Sequence, residues 1–248
     1  MSKITPQNCD ACFSFSTLLV IYTWASSDGT GDLFFSDVSG QPGDDGTVEW
    51  VRLLRGVNSL LGIYYFEIRQ GPLGKLIHLW DDDAKPCPET NPEDTARFAT
   101  LEQLWNRTPM TISVAEADAL RETLDILRET YSFMSLPVPD SGIDPGGASL
   151  SWPIRVPEAY IQMVNRRQPE ALILLAHYCL LLNKMEKVWW MSGMSRHLLQ
   201  TIHKTIGKEW ESWITWPLQD LVLSEFRNQN QSDGIKYGLP PRSNNTSV

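Results

Sequence analysis

The sequence predicts an all-α protein formed by a single domain. Apolar residues recur at three- and four-residue spacing in several segments, which indicates helices with one buried face. The connections between these segments are rich in Pro and Gly, and no segment alternates polar and apolar residues as a strand does. The 248 residues are enough for one large core. We place the domain at residues 1–226 and expect residues 227–248 to form a disordered tail.

The first predicted helix is the apolar run at residues 13–25. Such a run also fits the core of a signal peptide, but the preceding segment contains one Lys and one Asp and has no net positive charge. It is shorter than the roughly 18–20 residues that cross a bilayer, so we expect no membrane span.

The next two helices are predicted from spacing. In the first, Val51, Leu54, Val57 (or Asn58) and Leu61 define one apolar face. The second covers residues 113–134 and begins with a capping box in which Ser113 and Glu116 bond to each other's backbone. The apolar face of this second helix follows at steps of four and three and comprises Leu120, Leu124, Leu127, Tyr131 and Met134.

Three connections are predicted from their composition. Residues 28–47 are polar and rich in Gly, residues 81–95 are acidic and contain three prolines, and residues 137–157 form a Pro/Gly-rich break. The run Asp81–Asp83 does not complete a D-D-x-x-D metal motif, because the required positions hold Lys85 or Pro86. We therefore interpret the run as a solvated loop.

A buried central helix is predicted near residues 171–182, where only His177 and Tyr178 are notably polar. Pro169 suits the first turn of this helix. After a Trp-rich elbow, Gly193 marks a bend and Gly207 the end of the following helix. Trp210, Trp213 and Ile214 then share one face ahead of Pro217.

Charge and residue spacing exclude several kinds of site. The net charge of −9 and scattered basic residues disfavour direct nucleic-acid binding. Cys9 and Cys12 lack a second ligand pair, and the four histidines show no metal-binding spacing, so we expect no metal, no cofactor and reduced cysteines. The sequence contains no nucleophile elbow, dinucleotide-binding or P-loop motif.

The wealth of Trp and Met predicts either a large core or a pocket for an apolar ligand. The chain has ten Trp residues, two of them adjacent and flanked by Met. Apolar pockets are lined in this way, with a few polar groups that orient the ligand. The candidate ligand-binding residues are His177, Tyr178, Met185, Trp189, Trp190, Met191 and Met194.

Six segments, taken in order, resemble the C-terminal regulatory domain of fungal zinc-cluster transcription factors of the sterol-uptake regulator type. They are FSFSTLLVIYTWAS (13–26), WVRLLRGVNSLL (50–61), WPIRVPEAY (152–160), PEALILLAHYCLLL (169–182), VWWMSGMSRHLL (188–199) and WESWITWP (210–217). The resemblance implies an orthogonal helical domain, N-terminally short relative to the family, with an apolar internal pocket for a sterol- or terpenoid-like molecule. It also makes residues 13–25 an internal helix. The family's six-cysteine zinc cluster has no counterpart here, since the chain has four Cys.

Two functions follow as alternatives. The first is a regulatory domain that binds an apolar small molecule and controls a metabolic or biosynthetic pathway. The second is a stand-alone cyclase or isomerase of fungal secondary metabolism, for which the candidate catalytic residues are His177, Tyr178, His197 and Asp220. As partners we expect the hydrophobic molecule and a homodimer, or a heterodimer with a related full-length factor. The expected localisation is cytoplasmic, nuclear or both.

Overall fold

The structure, a computed structural model, describes residues 4–26, 49–74, 92–107, 112–135 and 145–222. These residues form helices and turns and include no strand, which confirms the predicted all-α class. The helices are α1 (Cys9–Ser26), α2 (Glu49–Gln70), α3 (Pro92–Leu101), α4 (Leu104–Arg107), α5 (Val114–Ser135), α6 (Pro145–Arg155), α7 (Glu158–Asn165), α8 (Pro169–Asn183), α9 (Met194–Thr205), a 3-10 helix (Lys208–Ile214) and α10 (215–222). The predicted connection 28–47, residues 81–91 and the predicted tail 227–248 lie outside the described residues. The limits of the domain stay a prediction.

Helix α8 is the centre of the fold. Every residue from 170 to 182 is buried, and Pro169 occupies the start of the helix, as predicted. Helices α5, α7 and α9 and the 3-10 helix all pack against it. A helix that is apolar on all sides is stable in water only when its neighbours cover every side. The predicted buried central helix is therefore confirmed.

Helix α5 begins with the predicted capping box. The Ser113 backbone N–H donates to Glu116 Oε2 over 2.9 Å, and the Glu116 N–H donates to Ser113 Oγ over 3.3 Å. The bonds from Ser113 to the carboxylate lower the pKa of Glu116 to about 2. Arg166 and Gln168 also donate to Glu116, so the cap fixes the start of α5 to the turn between α7 and α8.

Helices α1 and α2 form an antiparallel hairpin that is only partly joined to the main core. Where α1 ends and α2 begins, Trp24 and Val51 belong to the main core cluster. At the far end, Cys9, Phe13 and Ile68 belong to a separate small cluster. The outer half of the hairpin therefore depends mainly on contacts between its own two helices.

Two of the predicted connections are shorter than expected. Residues 92–95, assigned to a loop, form the first turn of α3, with Pro92 at its start and Glu93 and Asp94 in the first turn. Pro and acidic residues suit this position, because the first N–H groups of a helix have no helical acceptor and attract negative charge. The composition typical of a loop is here the composition of a helix start.

The break predicted at residues 137–157 is wrong for residues 145–155, which form α6 with Pro153 inside it. Proline has no N–H, so it leaves the carbonyl four residues earlier, that of Ser149, without its helical donor. The Tyr178 hydroxyl donates to this carbonyl oxygen over 3.0 Å. The Tyr178 ring also stacks on Trp152 at a centroid distance of 4.3 Å. A contact distant in sequence thus keeps α6 helical through its proline.

This replacement of a helix hydrogen bond is testable by a double-mutant cycle. Tyr178→Phe leaves the Ser149 carbonyl without its hydroxyl donor in a buried site, and we expect the free energy of unfolding to fall by about 1–3 kcal/mol. Denaturant unfolding followed by circular dichroism measures the change.

The second arm of the cycle is Pro153→Ala, which restores a backbone N–H within reach of the Ser149 carbonyl. Tyr178→Phe should therefore cost less in the Pro153→Ala background than in the wild type. An equal cost in both backgrounds would mean that the two residues do not share this acceptor.

Candidate functional site

The candidate ligand-binding residues of the elbow after α8 have different surroundings. Met185, Met191 and Met194 are buried in the main core. Trp190 is half-buried and meets Trp24 of α1 edge-on at a centroid distance of 5.9 Å. Trp189, by contrast, is 76% exposed. The elbow thus links α8 to α1, and its role in a ligand pocket stays a prediction.

His177 and Tyr178 lie on different sides of α8. His177 Nδ1 lies 2.8 Å from the Ile173 carbonyl oxygen, and its ring meets Trp216 edge-on. Burial lowers the pKa of His177 to about 4, so the ring is neutral at pH 7. Burial likewise raises the pKa of Tyr178 well above its ordinary value. Both side chains are neutral members of the packed interior.

The remaining candidate catalytic residues lie elsewhere. His197 is exposed on α9, where its Nδ1 lies 2.9 Å from the Gly193 carbonyl oxygen. The charge of Asp220 influences Tyr131 and Lys184. His177 contacts Trp216 and Asp220 acts on Tyr131, so both lie beside the aromatic cluster of Phe98, Tyr131 and Trp216. Tyr178 and His197 have their contacts elsewhere. The structure does not bring the four residues to one reacting centre.

That aromatic cluster joins the ends of several helices. Phe98, Tyr131 and Trp216 meet edge-on in pairs at centroid distances of 5.3 to 6.1 Å. Arg97 lies over the Trp216 ring at 4.6 Å and Lys184 over the Tyr131 ring at 4.4 Å. A cation over an aromatic face is attracted by the ring's electrons. The cluster thereby attaches α3 and α10 to α5 and α8.

The pKa shifts of the two titratable side chains in the cluster, Tyr131 and Lys184, favour a structural role over proton transfer. Desolvation raises the pKa of Tyr131, and the nearby charges of Asp94 and Asp220 raise it further. Desolvation lowers the pKa of Lys184, although much of its side chain remains in solvent. At neutral pH the phenol holds its proton, so we assign the cluster a structural role.

An apolar groove, open to solvent on one side, runs between α1 and α2 and has a volume of about 400 Å³. This volume falls within the range of small-molecule sites. The residues that line it are Ile4, Ser16, Leu19, Arg52, Leu53, Gly56, Val57, Ser59, Leu60, Ile63 and Tyr64. A cleft of about 320 Å³ elsewhere is bordered by Glu102, Trp105, Arg121 and Asp125, whose charges suit an apolar ligand less well.

Gly56 lines the groove at a point where the surrounding space is open. A Cβ atom added at this position would meet nothing within 4 Å. Glycine inside a helix is less stable than alanine by about 0.8–1.0 kcal/mol. None of the groove residues was among the candidate site residues predicted from the sequence. Gly56 lies on the side of α2 opposite the predicted apolar face, which gave no sign of a site there.

The part of the chain that the structure describes contains no group of three or more His, Cys, Asp or Glu side chains suited to a metal ion. Among the same residues, no helix combines the length and the apolar character needed to cross a membrane.

The low pKa of His177 predicts a specific dependence of stability on pH. Its folded pKa of about 4 lies below the ordinary value of 6.5, so the unfolded chain takes up a proton that the folded chain does not. Stability should fall as pH drops from 6.5 towards 4, by about 2 kcal/mol at pH 5. His177→Phe should remove this part of the acid sensitivity, as measured by urea unfolding at pH 7 and pH 5.

The matched control is His203→Gln, because His203 is exposed and pairs with Glu211 on the surface. This variant should keep the wild-type difference between the two pH values. If His177→Phe also kept the full difference, His177 would not be the group that resists protonation.

Comparison with known proteins places the chain near fungal transcription factors. It is 23% identical over 235 residues to a protein of Gibberella zeae described as a Zn(2)-C6 fungal-type transcription factor. The alignment covers 89% of this chain and 44% of the relative, so the chain spans less than half of that protein's length. No protein-family model and no solved structure matches the chain. The similarity supports a relationship to fungal transcription factors at this general level.

Proposed function

We propose that the chain is a regulatory domain that binds an apolar small molecule and takes part in the control of a metabolic or biosynthetic pathway. The observation that carries the proposal is the groove of about 400 Å³ between α1 and α2. The similarity to a fungal transcription factor, over 89% of this chain, supports the regulatory part. A regulatory domain of this kind acts in the nucleus or moves between cytoplasm and nucleus.

The lining of the groove indicates the chemical class of the ligand. Its walls are aliphatic, with Leu53, Val57 and Leu60 on α2 facing Leu19 on α1. The polar lining residues are few and include Ser16, Arg52 and Ser59, whose hydroxyl donates to the Arg55 carbonyl. Such a surface favours a ligand with an extended apolar body and a polar group, as in a sterol or terpenoid.

A ligand in this groove would act on the less stable part of the fold. The outer hairpin has only its own small cluster, which includes Leu60 and Leu61. A molecule that contacts both α1 and α2 adds contacts that exist only when the hairpin is formed. A ligand that binds only the folded state stabilises that state by linkage. We propose that this stabilisation is the signal that the domain transmits.

The binding function is favoured over the enzyme alternative by the positions of the candidate catalytic residues. Tyr178 bonds to the Ser149 carbonyl, His177 to the Ile173 carbonyl, and His197 lies on the exposed side of α9. General acid–base catalysis requires such groups within hydrogen-bond reach of one substrate.

Ligand binding in the groove is testable by thermal unfolding with ergosterol as the probe. Gly56→Leu should raise the melting temperature of the free protein, because leucine is a better helix former than glycine. It should also fill the groove, since the space around Gly56 is open. We expect ergosterol to raise the melting temperature of the wild type and to leave that of Gly56→Leu unchanged.

Gly62→Leu is the matched control. Gly62 lies in the same helix, an added Cβ there also meets nothing within 4 Å, and the residue does not line the groove. This variant should keep the full response to ergosterol. An equal response from Gly56→Leu would place the ligand outside the groove. If neither ergosterol nor a terpenoid such as farnesol shifts the wild type, the proposed function is wrong.

A further inference from the structure

Helix α1 has an exposed apolar stripe that begins at the edge of the groove and continues away from it. Phe15, Leu18 and Tyr22 are 69%, 64% and 69% exposed, and Leu19 between them is also exposed. The spacing of these four residues, at i, i+3, i+4 and i+7, places them on one face of the helix. We call Phe15, Leu18, Leu19 and Tyr22 the α1 stripe.

The exposed apolar surface is large for a protein of this size. Ile63 faces Leu19 across the groove and is 71% exposed, and Phe66, one turn further along α2, is 72% exposed. The three exposed aromatic side chains alone leave roughly 300–500 Å² uncovered, if each has about 150–250 Å² of surface. With the aliphatic side chains added, the exposed apolar surface of the hairpin, to which the α1 stripe supplies four of the six side chains, approaches the roughly 800 Å² that each partner buries in a stable interface. Patches of this size mark interaction sites.

The charge of the hairpin suits a second copy of the chain. Among the described side chains of α1 and α2, Asp10 and Glu67 balance Arg52 and Arg69, and Arg55 pairs with Glu158 of α7, whereas the whole chain has a net charge of −9. Two hairpins can therefore approach each other without like-charge repulsion. Helices that lie on anionic membrane surfaces have a basic polar face, which this hairpin lacks.

The order of residues in the α1 stripe is self-complementary. In an antiparallel pair of identical helices whose two-fold axis passes between Leu18 and Leu19, Phe15 of one copy faces Tyr22 of the other, and Leu18 faces Leu19. The small residues Ala11 and Ser26, both exposed, face each other at the two ends. Each aromatic side chain then meets an aromatic partner, and each leucine meets a leucine. A two-fold dimer requires one patch that complements itself in this way.

We propose that the α1 stripe is a homodimer interface in which two copies of the chain pack α1 against α1, antiparallel, about this axis. The inference does not rest on the proposed ligand, because Phe15, Leu18 and Tyr22 do not line the groove. The occupant of the stripe is a second copy of the same surface.

Sedimentation analysis of the full chain tests the interface. The wild type should approach twice the 28.1 kDa of one chain as its concentration rises. The double variant Phe15→Gln/Tyr22→Gln should remain monomeric with an unchanged circular dichroism spectrum, because both side chains are on the surface. Trp189→Gln is the matched control, since Trp189 is an aromatic residue 76% exposed outside the hairpin. This control should still form dimers.

A charge pair tests the register of the two helices. Phe15→Lys and Tyr22→Glu should each weaken the homodimer, because each variant spoils both aromatic pairs. A mixture of the two variants should recover a dimer, which has one Lys–Glu pair and one wild-type aromatic pair. A mixture that stays monomeric would contradict the antiparallel register.

Three results would overturn the proposal as a whole. They are a wild type that stays monomeric at every concentration, a dimer that persists in Phe15→Gln/Tyr22→Gln, and a wild type that sediments with phosphatidylcholine–phosphatidylserine vesicles while the double variant does not. The last result would identify a membrane surface as the occupant. None of these measurements involves ergosterol, so failure of the dimer and failure of the proposed function are distinguishable.

Discussion

The complete burial of α8 is the constraint on which the rest of the structure depends. A buried helix must have neighbours on all sides, and every polar group on it needs a partner. The hydroxyl of Tyr178 finds one in α6, while His177 Nδ1 and the Cys179 thiol bond to carbonyls within α8 itself. The positions of α5, α6, α7 and α9 follow from the need to cover this helix. The aromatic cluster of Phe98, Tyr131 and Trp216 then covers its C-terminal end.

The sequence predicts those features of the fold whose signals are local. The capping box of Ser113 and Glu116, the start of α8 at Pro169 and the bend at Gly193 each depend on residues within a few positions. Helix α6 could not be predicted in the same way. The hydroxyl that compensates for Pro153 belongs to Tyr178, which lies 29 residues after its acceptor Ser149 and is brought there only by the fold.

The candidate site was harder to predict because hydrophobicity does not distinguish a core from an exposed groove. The Met residues of the elbow are buried, and their number had predicted either a core or a pocket. The groove residues Leu53, Val57 and Leu60 have the same helical spacing as a buried face. Which of two such faces is covered depends on the packing of neighbouring helices, and this information is absent from the pattern of one helix.

Helices α1 and α8 show how the same sequence character leads to different roles. Both are apolar around most of their circumference, yet only α8 is covered on every side, and α1 keeps one side exposed. Leu19 belongs to both the groove and the α1 stripe, so an occupant of one surface contacts the helix that forms the other. If a ligand and a second copy both bind, thermodynamic linkage requires each to change the affinity of the other by the same factor. Both occupants require a formed outer hairpin. The expected coupling is therefore favourable, because the first to bind has already ordered the helix that the second needs.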